Sequence, residues 1–568
     1  MDRMSDDEIE LAEFAPPFER DSFGWREAEM LSPFFTNLDR SVYVPVVFSP
    51  EIIGALCSRT SRAEGDLRRV FLDEYLKPFL ESEEKYGHDL QAFVEFLHEH
   101  PVESIFSNPR ARNFYNKWLA QFGDDSIAQM AGTHLVFTGI SQIAIKHFED
   151  QRIGLAPIEK STRYVDYSSK MGGQWRYYTD PRLMGYGLEN EYREAMDGLF
   201  ETYEELKEKL KVWLGKRWPK ENVSVLEKKA FDAVRGLLPA ATLSQLALFG
   251  NGQAFEYMIA RSARHRLGEI RWAAEEAYRE LYKIVPSFLR RLKDTGSRGA
   301  AEQYQEYMAR RNQRVAPLAG KHLADLQPEM AGAGSCPRVT LVESDSEGET
   351  KIITAMLYSA SANRASWGDT LVKVRGMSEL SKKEIINQYL SGRGERWQKV
   401  GRAFESAYVR FEVIMNIGGW RDLHRHRMLT QQRQQFCIQH GYDVPADIEE
   451  AGLAGAFRLA VERAEGVYEK IASHDHELAQ YAVTLAHRVR FMQWQNLRAC
   501  FWEMELRTIP EGHSDYRFIE QEKFRLIEKV YPLIAWHMRV NMGKYDFARR
   551  GQEEKIQAKL KELSGVAT

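Results

Sequence analysis

RDLHRHRMLTQQRQQF, residues 421–436, is the stretch from which the chain is best read. Arg425 and Arg427 flank His426, and a glutamine-rich run follows. Arginine forks pair bidentately with phosphate, and a histidine between them donates to an anion or to a ring. A solvated basic helix end carries the same residues, so the triplet alone leaves both readings open. Zinc at His424 and His426 is disfavoured, because the adjacent arginines repel a cation.

Two further stretches hold polar groups in patterns that chemistry uses. In EKSTRYVDYS, residues 159–168, Glu159, Ser161 and Arg163 sit two apart. An extended loop would project all three the same way, offering an acceptor, a hydroxyl and a guanidinium to a phosphate-bearing ligand; a surface strand with charge pairs is the alternative. In RGLLPAATLSQLALFGNGQAFEYMIARSARHRLGEIRW, residues 235–272, a helix burying Asn251, Gln253 and Glu256 would need partners for them, and a ligand with amide edges supplies partners. Arg261, His265 and Glu269 recur every four residues, which predicts one shared helix face, either ligand-binding or salt-bridged. HDHE at 474–477 reads as an N-cap and first-turn acids rather than a metal cluster. No phosphate-binding P-loop, GxGxxG turn, HExxH or serine-hydrolase elbow is present.

Composition narrows the class. The 568 residues are too many for one compact domain, and 43% hydrophobic content supports real cores. With 78 Lys+Arg against 82 Asp+Glu, the net charge of −4 gives no global attraction to nucleic acid or acidic membranes. Cys57, Cys336, Cys437 and Cys500 form no CxxC pair, which argues against a disulfide framework or a thiolate zinc site. No apolar run approaches the ~20 residues that span a bilayer. The acidic start MDRMSDDEIELAEF lacks the apolar core of a secretory signal. A cytoplasmic protein without nucleic-acid or membrane partners is expected.

Along the chain, residues 1–34 read as an extension. SVYVPVVF from Ser41 predicts a strand, and VLEKKAFDAVRGLLPAATLSQLALF predicts a helix that Pro239 kinks or interrupts. Residues 294–337 read as a connection between two domains. VTLVES and TKIITAML around DSEG predict a hairpin. ELAQYAVTLAHRVRFMQWQNLRACFWEMELR has a helical pattern. The halves share an order of features. Each has a strand entering Arg-x-Ser (Arg59-Thr60-Ser61; Arg364-Ala365-Ser366), then a helix entering an arginine-rich turn at Arg152 or Arg425-His426-Arg427. Each then has a helix with Asn-x-Gln/Arg (Asn251 and Gln253; Asn496 and Arg498) and a closing arginine, Arg261 or Arg507.

Taken in order, these pieces resemble the flavin-dependent thymidylate synthase (ThyX) family, in two copies. The first copy is similar in Glu159-Lys160-Ser161-Thr162-Arg163-Tyr164, in Arg235 to Pro239 (Arg-x-x-Leu-Pro), and in Asn251, Arg261, His265 and Glu269-Ile270. It has Asp150-Gln151-Arg152 where the family has Arg-His-Arg, one extra residue before Ser161, and Gln253 for an arginine. The second copy keeps Arg425-His426-Arg427, Asn496, Arg498, Leu506-Arg507 and a displaced His513. It has Arg433, Gln435 and Cys437 in place of the nucleotide loop, and Gln480 and Thr484 in place of the Arg-x-x-Leu-Pro ends.

The resemblance implies an α+β fold of two tandem lobes, helix-rich with small antiparallel sheets, at 35–293 and 338–550, before a tail at 551–568. It implies reductive methylation of dUMP to dTMP with FAD, methylenetetrahydrofolate and NADPH. A related flavoenzyme acting on another pyrimidine or one-carbon donor, or a non-catalytic nucleotide- or flavin-binding scaffold, is the alternative. By the same resemblance, Glu159, Ser161, Arg163, Arg235 and Arg261 bind the pyrimidine nucleotide. Arg425, His426, Arg427, Asn251, Gln253, His265, Asn496 and Arg498 hold FAD, and Arg261 and Arg507 activate the pyrimidine. No enzyme nucleophile is needed, so Cys437 has no such role. Family members are homotetramers with sites at subunit junctions, which implies a homodimer of this chain forming a pseudo-tetramer. Because each copy lacks what the other keeps, one composite site is expected, with Arg425, His426 and Arg427 meeting Glu159, Ser161 and Arg163.

Overall fold

The computed structural model describes residues 10–80, 85–100, 108–122, 125–293, 300–326 and 338–547. The tail at 551–568 and Cys336 lie outside the described residues. The fold is α+β and helix-rich, with two small antiparallel sheets. One sheet holds β1 (Val42–Tyr43), β2 (Gly132–Ser141), β3 (Leu155–Glu159) and β4 (Leu243–Asn251), in the order β1-β2-β4-β3. The other holds β5 (Val339–Ser344), β6 (Tyr408–Asn416), β7 (Thr430–Arg433) and β8 (Arg488–Asn496), in the matching order β5-β6-β8-β7.

Each long strand runs straight into a helix. In the first copy β2 enters α1 (Gln142–Glu149), α2 (Val223–Val234) precedes the second long strand, and β4 enters α3 (Gly252–Ser262), followed by α4 (Gly268–Ile284). In the second copy β6 enters α5 (Ile417–Leu423), and β8 enters α6 (Leu497–Arg507), followed by α7 (Ser514–Val530). A side chain caps all four strand-to-helix junctions. Ser141 accepts from the Ala144 N–H at 3.1 Å and Asn251 from Ala254 at 2.9 Å. Asn416 accepts from Gly419 at 2.7 Å and Asn496 from Ala499 at 2.9 Å. Such caps contribute about 1 kcal/mol each. One-turn 3₁₀ helices, Arg235–Leu237 and Gln480–Ala482, stand before β4 and β8.

The compact units draw on both halves of the chain. One comprises residues 1–206, 237–327 and 455–484; the other comprises 207–236, 328–454 and 485–568. The first is packed around Phe34, Phe35, Phe48 and Phe71, with the Phe48 and Phe71 rings 4.8 Å apart edge to face. The second buries Trp420 completely, 5.7 Å from the Phe436 ring. No helix among the described residues is long and apolar enough to cross a membrane.

Several local expectations are corrected. VTLVES is a strand, but TKIITAML lies in a helix, Gly348–Ala360, so there is no hairpin at DSEG. Its Ile352, Ile353 and Met356 are buried at helical spacing. Arg59-Thr60-Ser61 ends a helix, Pro50–Thr60, rather than following a strand, and Ser366 caps the helix Trp367–Arg375. In SVYVPVVF only Val42–Tyr43 joins the sheet, and Pro45 makes an isolated bridge to Phe35. The helix predicted through Pro239 stops at Val234, and LSQLALFGN is β4. Likewise RVRFMQWQN is β8, not helix. The connection at 294–337 contains a helix, Ala300–His322; residues 294–299 and 327–337 are outside the described set.

Candidate functional site

The second unit encloses a cleft of about 590 Å³. Lys228, Arg235, Gly236, Asn416, Gly418 and Asp515 are among the residues that line it. Arg235 comes from the Arg-x-x-Leu-Pro element of the first copy, and Asn416 caps the second copy's α5, the helix that leads into Arg425-His426-Arg427. The approach is close: a Cβ at Gly418 would touch the Arg235 Nε at 3.4 Å, an ordinary van der Waals contact. The cap is heavily tied. Asn416 Nδ2 donates to Asp515 Oδ2 at 2.7 Å and to Asp443 Oδ2 at 3.1 Å. Asp443 also accepts from Arg338 at 2.7 Å and Arg488 at 2.8 Å. Burial alone would raise the Asp443 carboxyl; the hydrogen bond from Arg338 and the charges of Arg338 and Arg488 outweigh it and hold it below the ordinary carboxylate range.

Past the end of α5, Arg425 and Arg427 are exposed and His426 is buried. The His426 Nε2 accepts from the Arg507 Nε at 2.8 Å, so the ring is neutral there and carries its proton on Nδ1. Burial pushes His426 down to about 4, aided by Arg507 and Lys523 and opposed by Glu503. Beneath it Lys523, fully buried, donates to Glu520 at 2.7 Å and to Gln493 at 2.9 Å. The structure thus sets Arg507 against His426, and Arg425 and Arg427 flank that histidine on the exposed surface. Exposed guanidiniums beside a fixed imidazole are a donor set that fits a diphosphate, so these residues fit FAD.

The first unit holds the other predicted residues. Glu159 is not part of an extended three-residue face. It is buried at the end of β3, where Lys146 donates to it at 3.0 Å and to Glu149 at 2.6 Å. Ser161 and Arg163 follow in a turn, with the Arg163 N–H donating to Ser161 Oγ at 3.2 Å. The Ser161 N–H donates to the Ser61 carbonyl at 2.9 Å, which places the Arg59-Thr60-Ser61 element beside the loop. Lys160, absent from the predicted set, donates to the Glu64 and Gly65 carbonyls at 2.8 and 2.9 Å; burial pulls it down to about 8.

Arg261, His265 and Glu269 do not share a helix face. Arg261 lies in α3 and donates to the His147 carbonyl, His265 lies in the following turn, and Glu269 opens α4. The polar groups expected to await a ligand have protein partners. Asn251 caps α3, Gln253 accepts from Gln129 at 2.9 Å, and Glu256 pairs with Arg291. In the second copy Asn496 caps α6 and Arg498 pairs with Glu405 at 2.5 Å. Asp475 caps His476–Ala479, as the HDHE reading expects. Sequence reasoning missed Asn416, Asp443 and Asp515; an asparagine directly before Ile-Gly-Gly-Trp is the cap signal that marks the first of them.

The family model for thymidylate synthase complementing protein matches residues 85–287 and again 340–533. A UPF0159 protein of Chlamydia pneumoniae is 34% identical over 542 residues, covering 94% of this chain and 98% of that one. A flavin-dependent thymidylate synthase of Mycobacterium sp. (strain JLS) is 29% identical over 209 residues, 34% of this chain and 77% of that protein. Among solved structures, the UMP/dUMP methylase PolB from Streptomyces cacaoi bound with 5-Br dUMP matches 35% of this chain and 92% of its own at 16% identity, with a TM-score of 0.29. Two matched regions, two sheets of one strand order and the ordered motifs agree: the chain belongs to the thymidylate synthase complementing protein family and carries that family's domain twice.

Proposed function

We propose that this chain is a flavin-dependent thymidylate synthase-like enzyme that binds a pyrimidine nucleotide in the cleft of the second unit. The observation that supports this reading is the meeting, inside one cleft, of Arg235 from the first copy with the capped start of α5, the helix that leads into the second copy's Arg-His-Arg turn. Arg235 pairs with the phosphate through its planar fork. Arg425 and Arg427 hold the diphosphate of FAD, and His426, fixed as an acceptor, holds Arg507 in place for the pyrimidine ring. Bound FAD supplies the hydride, with NADPH as its reductant and methylenetetrahydrofolate as the carbon donor. Glu159, Ser161 and Arg163 are family-likeness candidates that lie in the first unit and outside this cleft, Glu159 being already paired with Lys146, and two chains assemble as a homodimer. A scaffold without turnover is the second reading, favoured by the protein partners of Asn251, Gln253 and Glu256.

Purified protein that is yellow, releases FAD on denaturation and liberates tritium from 5-tritiated deoxyuridylate is the expected result. FAD without tritium release would turn the assignment to another pyrimidine or donor. Absence of both would leave the scaffold. A monomer in light scattering at micromolar concentration would refute the dimer.

A further inference from the structure

We infer that each unit contains a crevice built on the same plan, that the one in the first unit is sealed by Tyr178 and Tyr481, and that each chain therefore offers one open cleft of this plan among its described residues. This deepens the nucleotide reading above and rests on it for the identity of the ligand.

The equivalence is read from the backbone. In the second unit the Ala486 N–H donates to the Gly236 carbonyl at 2.9 Å, and the Asp443 N–H donates to the Ala486 carbonyl at 3.0 Å. In the first unit the Ala241 N–H donates to the Tyr481 carbonyl at 3.2 Å, and the Tyr178 N–H donates to the Ala241 carbonyl at 2.9 Å. Gly236 and Tyr481 are the middle residues of the two 3₁₀ turns. Asp515 and Glu269 are the second residues of α7 and α4. Each of these acids holds the cap of the short helix that follows the first long strand of its sheet, Asn416 on α5 or Ser141 on α1. Position for position, Gly236 answers to Tyr481, Asp443 to Tyr178, Asp515 to Glu269, and Arg235 to Gln480.

The contents differ. Where the second unit has a glycine and a short carboxylate, the first has two phenol rings, with centroids 5.0 Å apart and each 1% exposed. The Tyr481 hydroxyl donates to Glu269 Oε2 at 2.7 Å, and Ser141 donates to the same carboxylate through its N–H at 2.7 Å and its hydroxyl at 2.6 Å. Glu269 has no exposed surface, so both the space and the acid are used up by the protein. The open counterpart, about 590 Å³, is of a size that small-molecule sites have. Gln480, in the place of Arg235, donates to the Glu477 carbonyl at 3.1 Å and brings no charge.

Equilibrium dialysis with radiolabelled deoxyuridylate tests the count, and p-cresol, the tyrosine side chain as a free molecule, tests the seal. Wild type is expected to bind one deoxyuridylate per chain. Gly236→Tyr transplants the seal and should weaken that binding at least 30-fold with the melting temperature kept; should it not fold, Gly236→Leu carries this arm. Tyr481→Gly should melt earlier and regain stability saturably with p-cresol, which should leave wild type unchanged; should it not fold, Tyr178→Ala carries that arm. Two deoxyuridylates per wild-type chain, unaltered binding by folded Gly236→Tyr, or indifference of the folded cavity variant to p-cresol would each overturn the inference. If wild type binds no deoxyuridylate, the nucleotide reading fails and the p-cresol arm alone decides the seal.

Discussion

The caps of α1 and α5 are held by the same device under different conditions. Ser141 is clamped by Glu269, a carboxylate without solvent whose three donors all come from protein groups. Asn416 is held by Asp515 and Asp443, whose side chains are 38% and 25% exposed at the cleft. A fully buried acid needs a complete set of donors, because an unpaired one costs its whole desolvation penalty. An acid at an open cleft is hydrated on one side and tolerates fewer. The closed crevice has become structural, and the open one keeps its polar groups within reach of a ligand.

The largest difference should follow from removing the two acids. Glu269→Ala strands the Ser141 N–H, the Ser141 hydroxyl and the Tyr481 hydroxyl, at about 1–3 kcal/mol each. A loss of roughly 3–9 kcal/mol in urea unfolding is expected, against about 1 kcal/mol for Asp515→Ala. Equal losses would show that the two clamps are not distinguished by burial. Next comes the pair Arg235 and Gln480. Removing a phosphate-binding arginine costs ~2–5 kcal/mol, so Arg235→Ala should weaken deoxyuridylate binding roughly 30-fold or more. Gln480→Ala should leave that binding unchanged.

The third effect is a pH dependence. Burial pushes the Glu269 carboxyl up to about 7 from an ordinary 4.5, against the lowering hydrogen bonds from Ser141 and Tyr481. The folded chain then keeps a proton that the unfolded chain has released. The contribution is complete below about 4.5 and is lost as pH rises through about 7, amounting to roughly 3 kcal/mol. Glu269→Gln should flatten stability over that window. Glu520, also pushed up to about 7 by burial and by Glu503, leaves a residual slope. The smallest effect is at the caps themselves: Ser141→Ala and Asn416→Ala should cost about 1 kcal/mol each in helix stability. A greater loss for Asn416 would show that its ties to Asp443 and Asp515 matter beyond capping.

Much of the duplication was legible, because motifs survive as residue order. Arg425-His426-Arg427 and Arg507 are named by sequence, and His426 meets Arg507 in the structure. The central strands were less legible for two different reasons. LSQLALFGN is buried on both faces, so its residues show no alternation and pass for a helix. RVRFMQWQN does alternate, with Val489, Phe491, Gln493 and Gln495 buried, and the period of two was there to be read. Arg261, His265 and Glu269 misled because a four-residue recurrence survives a helix break at Ser262. The seal was out of reach of pattern reading. Setting Gln480 and Thr484 on Arg235 and Pro239 already puts Tyr481 opposite Gly236, but only the structure shows its ring packed against Tyr178 and filling the crevice.

The interleaved make-up of the units has a consequence for synthesis. The first unit is incomplete until residues 455–484 exist, although its other segments end at 327. At about 5–20 residues per second, that is a delay of roughly 10–30 seconds on the ribosome. During it Ala240 and Ala241, just before β4, lack Val483 and Tyr481 as backbone partners, and the pocket that Tyr481 will fill has no ring in it. Nascent chains of this protein are therefore expected to need a holding chaperone for longer than two independent domains laid end to end. A stop codon after the helix Ala300–His322 should give an insoluble fragment rather than a working half.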